Sequence, residues 1–85
     1  METFTYKITD PVGIHARPAG QLVKLVKGLS SKVTVAKGEQ FAVATKVIAI
    51  MGLGVQSGDM ITVTVEGANE KVDAARLKSF LEERL

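Results

Sequence analysis

Residues 60–66 read MITVTVE, and no other run limits the possible folds as tightly. Side chains alternate sides along a strand, so Ile61, Val63 and Val65 share one face while Thr62 and Thr64 share the other. One face is buried and the other meets water. Strands of this one-sided kind belong to antiparallel sheets, because parallel sheets are covered on both faces and their strands are apolar throughout. Any helices must then lie on a single face of the sheet, which makes a two-layer arrangement.

The same period of two recurs elsewhere. TFTYKI at 3–8 places Phe4, Tyr6 and Ile8 on one face, and SKVTVAK at 31–37 places Val33 and Val35 inward. Gly38 supplies a tight turn into EQFAVA, where Phe41 and Val43 share a face and Phe41 is expected in phase with the core. These two runs form a hairpin. Between the strands the period becomes helical. Ala19, Leu22, Val23, Val26 and Leu29 recur at three- and four-residue steps, and Gly28 is a stop signal. Thr45 is the expected cap of a short helix running to Met51 and ended by Gly52. SGD at 57–59 marks a turn. The last segment, 69–85, reads as an amphipathic helix capped by Asn69. Its apolar stripe runs Val72, Ala74, Leu77, Phe80 or Leu81, and Leu85. The predicted order is β-α-β-β-α-β-α, an α/β (α+β two-layer) fold in one domain over 1–85.

Several function classes are set aside by composition. No cysteine is present, so there is no disulfide framework and no thiolate chemistry, which fits a reducing cytoplasm. The single histidine has no cluster of partners to complete a metal shell. VIAIMGLGV, the longest apolar run, is too short to span a bilayer, and METFTYKITD lacks the pattern of a secretory leader. Net charge is only +2, and Phe4, Tyr6, Phe41 and Phe80 are in phase with the core, leaving no stacking platform for nucleic acid.

That single histidine stands in GIHARPAG, residues 13–20, at the junction of a turn and a helix. The first amides of a helix have no intrahelical partner and carry partial positive charge, so such a terminus receives phosphate readily. Pro18 suits a first turn because its missing N–H would have been unpaired anyway. Residues before proline avoid helical geometry, so the helix starts either at Ala16 or at Pro18. On residues alone, His15 is either a surface or capping histidine or a nucleophile for phosphoryl transfer. In the second case Ala16, Arg17 and Pro18 form the phosphate-binding turn, and the planar guanidinium of Arg17 matches phosphate oxygens.

KVIAIMG, residues 46–52, is apolar nearly all round, and a domain this small cannot bury every side of it. Ile50 is the core candidate. Val47, Ile48 and Met51 are candidates for an exposed docking patch, with Arg17, Lys24, Lys27 and Lys46 as a basic rim that steers acidic partners.

GIHARPAG closely resembles the active-site segment of the HPr family, the histidine phosphocarriers of the bacterial phosphoenolpyruvate:sugar phosphotransferase system. LVKLVKG, ATKVIAIMGLGV and GDMITVTVEG resemble the rest of the family's first helix, its second-helix region and its last strand. The resemblance implies an open-faced β-sandwich, a four-stranded antiparallel sheet covered on one face by helices. It implies a carrier, not an enzyme, that accepts a phosphoryl group from phosphorylated enzyme I and passes it to IIA domains of sugar permeases. His15 would carry the group on its δ1 nitrogen, Arg17 would contact the phosphate, and the patch on the short helix would dock partners. A cytoplasmic monomer without cofactor, metal, nucleic acid or membrane insertion is the expected state. A paralogue in a regulatory or nitrogen-linked phosphorelay is the alternative within the family.

Two positions depart from the family pattern. Val12 stands where members often carry serine or asparagine, so its side chain offers no hydrogen bond near the histidine. Lys46 stands where many low-GC Gram-positive members carry a serine phosphorylated by a dedicated kinase. Lysine has no hydroxyl, so that switch is expected to be absent; on adjacent Thr45 an acceptor would point in a different direction.

Overall fold

One of the two inner strands of the sheet is the one whose alternation is cleanest. In the computed structural model, which describes residues 1–85, the elements are β1 (Glu2–Lys7), α1 (Ala16–Lys27), β2 (Lys32–Lys37), β3 (Gln40–Val43), α2 (Val47–Gly52), β4 (Met60–Glu66) and α3 (Glu70–Arg84). The sheet order is β1-β4-β2-β3, and every pairing is antiparallel. Val63 lies opposite Phe4 on β1 and Val35 on β2, and Val65 lies opposite Val33, so the inward rows run on from strand to strand. On the reverse face Thr64 is flanked by Thr3 and Thr34, a band of hydroxyls.

The core fills the space between the inward rows and the helices. Ala19, Leu22, Val23 and Val26 of α1, Ile50 of α2, and Ala74, Leu77 and Leu81 of α3 are all buried there. Full burial of a Val, Leu or Ile side chain is worth about 1.5–3 kcal/mol, so this face is the main source of stability. The helix beginning at residue 16 resolves the choice of start in favour of Ala16 over Pro18.

Three expectations fail, each for a local reason. Phe41 is not in the core but 71% exposed, while Ala42 and Ala44 are buried. The hairpin register pairs Val35 with Ala42 and Ala36 with Phe41, and Val35 points inward, so Phe41 must point to the open face. Val72 is likewise exposed, at 58%, and Asp73 takes the inward position. Its carboxylate Oδ2 accepts from the Ser31 hydroxyl at 2.6 Å and from Ser30 at 3.5 Å, which satisfies a buried charge and ties the α1–β2 connection to α3. Thr45 does not cap α2: Lys46 occupies the N-cap, with no side-chain cap bond. Asn69 does hold the N-cap of α3, but its amide donates to the Ser30 hydroxyl at 3.3 Å and not to its own helix. Phe80 packs half-buried beside buried Leu81, so both belong to the apolar stripe.

Candidate functional site

Between β1 and α1 the chain makes a tight turn, and its bonding fixes where the histidine stands. The Val12 amide donates to Asp10 Oδ1 at 2.8 Å, and the Gly13 amide donates to the Asp10 carbonyl at 3.0 Å. Gly13 has φ +78°, and a Cβ there would come within 2.8 Å of the Gln56 Cα, so only glycine fits. The next amide, Ile14, donates to the Val55 carbonyl at 3.1 Å, and the Ile14 side chain is buried. On the far side Pro18 and Ala19 are buried. His15 is thus held between two anchored points.

The 53–59 segment that supports this turn is itself clamped. Asp59 Oδ2 accepts from the Gln56 amide at 2.8 Å and pairs with Lys37 Nζ at 2.9 Å, while Lys37 also donates to the Gly54 carbonyl at 3.0 Å. The Gln56 amide, and then the Lys37 ammonium, hold the Asp59 carboxyl below the usual carboxylate range.

His15 is the N-cap of α1, in an extended conformation, and its carbonyl accepts from the Ala19 amide at 3.0 Å. Its imidazole is half-buried. No side chain caps this terminus and no acidic residue stands in the first turn. Pro18 has no N–H, so Ala16 and Arg17 supply the amides nearest the imidazole, and no carboxylate of the first turn competes for them. Arg17 is exposed and takes part in neither of the molecule's two ion pairs.

The imidazole opens on a shallow pocket of about 300 Å³ with no hydrophobic lining residue. His15, Arg17, Pro18 and Gln21 line one side, with Asp10 from the turn, and Glu83 and Arg84 close it from the end of α3. A larger groove of about 710 Å³ lies between α1 and α3, over Leu25, Val72 and Phe80. Its lining includes Lys71, Ser79 and Glu83 but not the histidine, which stands only in the smaller pocket. No three His, Cys, Asp or Glu residues are grouped to hold a metal ion.

The structure places His15, Ala16, Arg17 and Pro18 together at the start of α1. It treats the residues predicted to face a partner less uniformly. Ile48 is 81% exposed and Met51 is exposed, whereas Val47 is half-buried against the core, and Ile50 is fully buried. Lys46 stands exposed at the start of this short helix. Lys24 and Lys27 are exposed in the last turn of α1. Lys24, however, lines a groove with Gln21, Arg76, Phe80 and Arg84, in which no α2 residue takes part. Val12 is exposed at the tip of the turn.

Sequence reasoning missed Asp10, Gln21, Glu83 and Arg84. Gln21 follows Arg17 by one helical turn, a signal that was available. Glu83 and Arg84 reach the site only through tertiary structure. The Leu85 carbonyl accepts from the Thr9 amide at 2.7 Å, the Asp10 amide at 2.9 Å and the Thr9 hydroxyl at 3.0 Å, which pins the end of α3 to the turn before His15.

A family model described as the PTS HPr component phosphorylation site matches residues 2–83. The chain is 36% identical over 83 residues to phosphocarrier protein HPr of Lysinibacillus sphaericus, covering 98% of this chain and 94% of that one. It is 33% identical over 81 residues to a multiphosphoryl transfer protein of Xanthomonas campestris, covering 95% of this chain but spanning only 10% of that protein. The crystal structure of HPr-C-His from Thermoanaerobacter tengcongensis superposes with a TM-score of 0.92 at 31% identity, covering 98% of this chain and 93% of the other.

Proposed function

The chain belongs to the HPr family of phosphocarriers of the phosphotransferase system, and on that premise we propose that His15 is the residue that takes and gives up the phosphoryl group. The observation that carries this reading is the uncapped start of α1: a half-buried imidazole beside free helix amides and an unpaired guanidinium, facing a polar pocket.

Each part has a chemical task. An imidazole nitrogen attacks the phosphorus of the donor, a new P–N bond forms, and the bond between phosphorus and the donor atom breaks with its electron pair returning to the donor. The family resemblance assigns this attack to Nδ1. Charge on the phosphoryl oxygens then meets the Ala16 and Arg17 amides and the Arg17 guanidinium, whose fork matches those oxygens. The pocket is shallow and open at the surface, so the phosphoryl group stays within reach of the next acceptor. Transfer onward is the same step in reverse, with the acceptor as nucleophile.

Enzyme I is the proposed donor and IIA domains of sugar permeases are the proposed acceptors. Ile48 and Met51 supply the apolar docking contact, joined by the accessible part of Val47. Lys27, Lys46 and Arg17 provide positive charge around it, and Lys24 extends that charge toward α3. The proposed working state is a monomer in the cytoplasm; no helix is long and apolar enough to cross a membrane.

The test is direct. The protein is mixed with enzyme I, phosphoenolpyruvate and Mg²⁺ and examined by intact mass. One acid-labile phosphate is expected on the wild type and none on His15→Ala. Equal labelling of the variant would place the phosphoryl group on another residue.

A further inference from the structure

The pocket at His15 contains a charged group that the turn alone does not supply. We propose that Arg84, in the last turn of α3, is a second guanidinium for the phosphoryl group on His15; the inference rests on the proposed role of that histidine. Arg84 lines the same pocket as His15 and Arg17. Like Arg17, it is exposed and forms neither of the molecule's ion pairs, so its charge is not committed elsewhere.

Charge balance makes the case stronger. Two carboxylates, Asp10 and Glu83, also line the pocket. Arg17 by itself would leave the surroundings of the imidazole with a net negative charge even before a phosphoryl dianion arrives. Among the side chains that line the pocket, Arg84 offsets the second carboxylate. The Asp10 carboxylate accepts from the Val12 amide through Oδ1 at 2.8 Å.

Placement is equally specific. α3 ends against the turn that carries the histidine, because the Leu85 carbonyl takes three hydrogen bonds from Thr9 and Asp10. This holds the backbone beside Arg84 in place while the side chain remains free to swing. The same side chain borders the apolar groove with Leu25 and Phe80, a surface on which the methylene stem can rest while the guanidinium stays in water. A cation in the last turn also opposes the negative end of the α3 dipole, which would otherwise disfavour an anion at this spot.

A small donor tests the idea without any protein partner. Phosphoramidate transfers its phosphoryl group to an imidazole: a P–N bond forms at the histidine, the donor P–N bond breaks, and ammonia leaves carrying the imidazole proton. Peptide mapping locates the group, and ³¹P NMR then follows the second protonation of the phosphoryl oxygens with pH. Loss of a nearby cation at a solvent-exposed site should raise that pKa, here by about half a unit in Arg84→Gln. Arg84→Lys should restore most of the shift, since the charge returns without the fork. Arg76→Gln, on the same helix but outside the pocket, should leave it unchanged. A phosphoryl titration identical in wild type and Arg84→Gln, or an equal shift from Arg76→Gln, would overturn the inference while leaving the role of His15 intact. A wild-type chain that takes no phosphate on His15 would instead overturn the functional reading, and this inference with it.

Discussion

The turn at His15 and the short helix α2 are both candidate parts of one transfer surface, yet they are built on opposite principles. The turn is a backbone construction. Gly13, the Val12–Asp10 bond, the Ile14–Val55 bond and the Thr9–Leu85 bonds place one imidazole within a polar rim. α2 is a side-chain construction: Ile50 anchors it from below, and Ile48 stands 81% exposed above. The first is suited to holding charge in a set geometry, the second to shedding water against a partner. Chemistry and docking should therefore be separable by mutation.

The largest expected effect is on the turn itself. Gly13→Ala combines a left-handed backbone with a collision against the 55–56 backbone, and should cost about 2–4 kcal/mol, read as a lower midpoint in thermal or denaturant unfolding. An unchanged midpoint would mean that the turn is not the rigid part of the pair. Next is Ile48→Asp. It removes an exposed apolar contact and adds a negative charge facing an acidic partner, so acceptance of phosphate from enzyme I should fall by about tenfold or more, with stability within about 0.5 kcal/mol of wild type.

Smaller effects separate the two sides of α1. Lys27→Glu should slow transfer a few-fold at low salt, with the difference fading as the Debye length shrinks to about 3 Å at 1 M salt. Lys24→Glu should have a weaker effect in the same assay, because Lys24 lines the groove toward α3, away from α2. Equal effects would show that the basic rim acts as one field. The smallest concerns the support beneath the turn. Asp59 has a carboxyl held below its ordinary value by the Gln56 amide and Lys37, so its contribution to stability is present above the unfolded-state pKa and is lost as pH falls through the folded-state value. Asp59→Asn should therefore be less stable than wild type at neutral pH, and the gap should close in acid below about pH 4, as seen in urea unfolding at several pH values.

Most of this was legible in the sequence because it depends on local pattern. MITVTVE and the switch between periods of two and 3.6 specify the element order, and GIHARPAG marks the helix start that holds the histidine. What was not legible depends on register and on distant chain ends. Phe41 looked like a core residue because it shares a face with Val43 in the alternation, but pairing of Ala42 with Val35 decides the phase. Val72 lost its place to Asp73 because two serines of the α1–β2 connection donate to the Asp73 side chain. Arg84 comes to line the same pocket as His15 because backbone bonds join Leu85 to Thr9 and Asp10, and no spacing within the chain announces them.

The separation of chemistry from docking is tested most directly by comparing two phosphoryl donors. Rates of His15 labelling by phosphoramidate and by phosphorylated enzyme I would be measured for wild type, Arg17→Gln and Ile48→Asp. Arg17→Gln should be slowed with both donors, and Ile48→Asp only with enzyme I. If Ile48→Asp lost both activities alike, or Arg17→Gln lost neither, the pocket and the patch would not have the distinct tasks assigned to them.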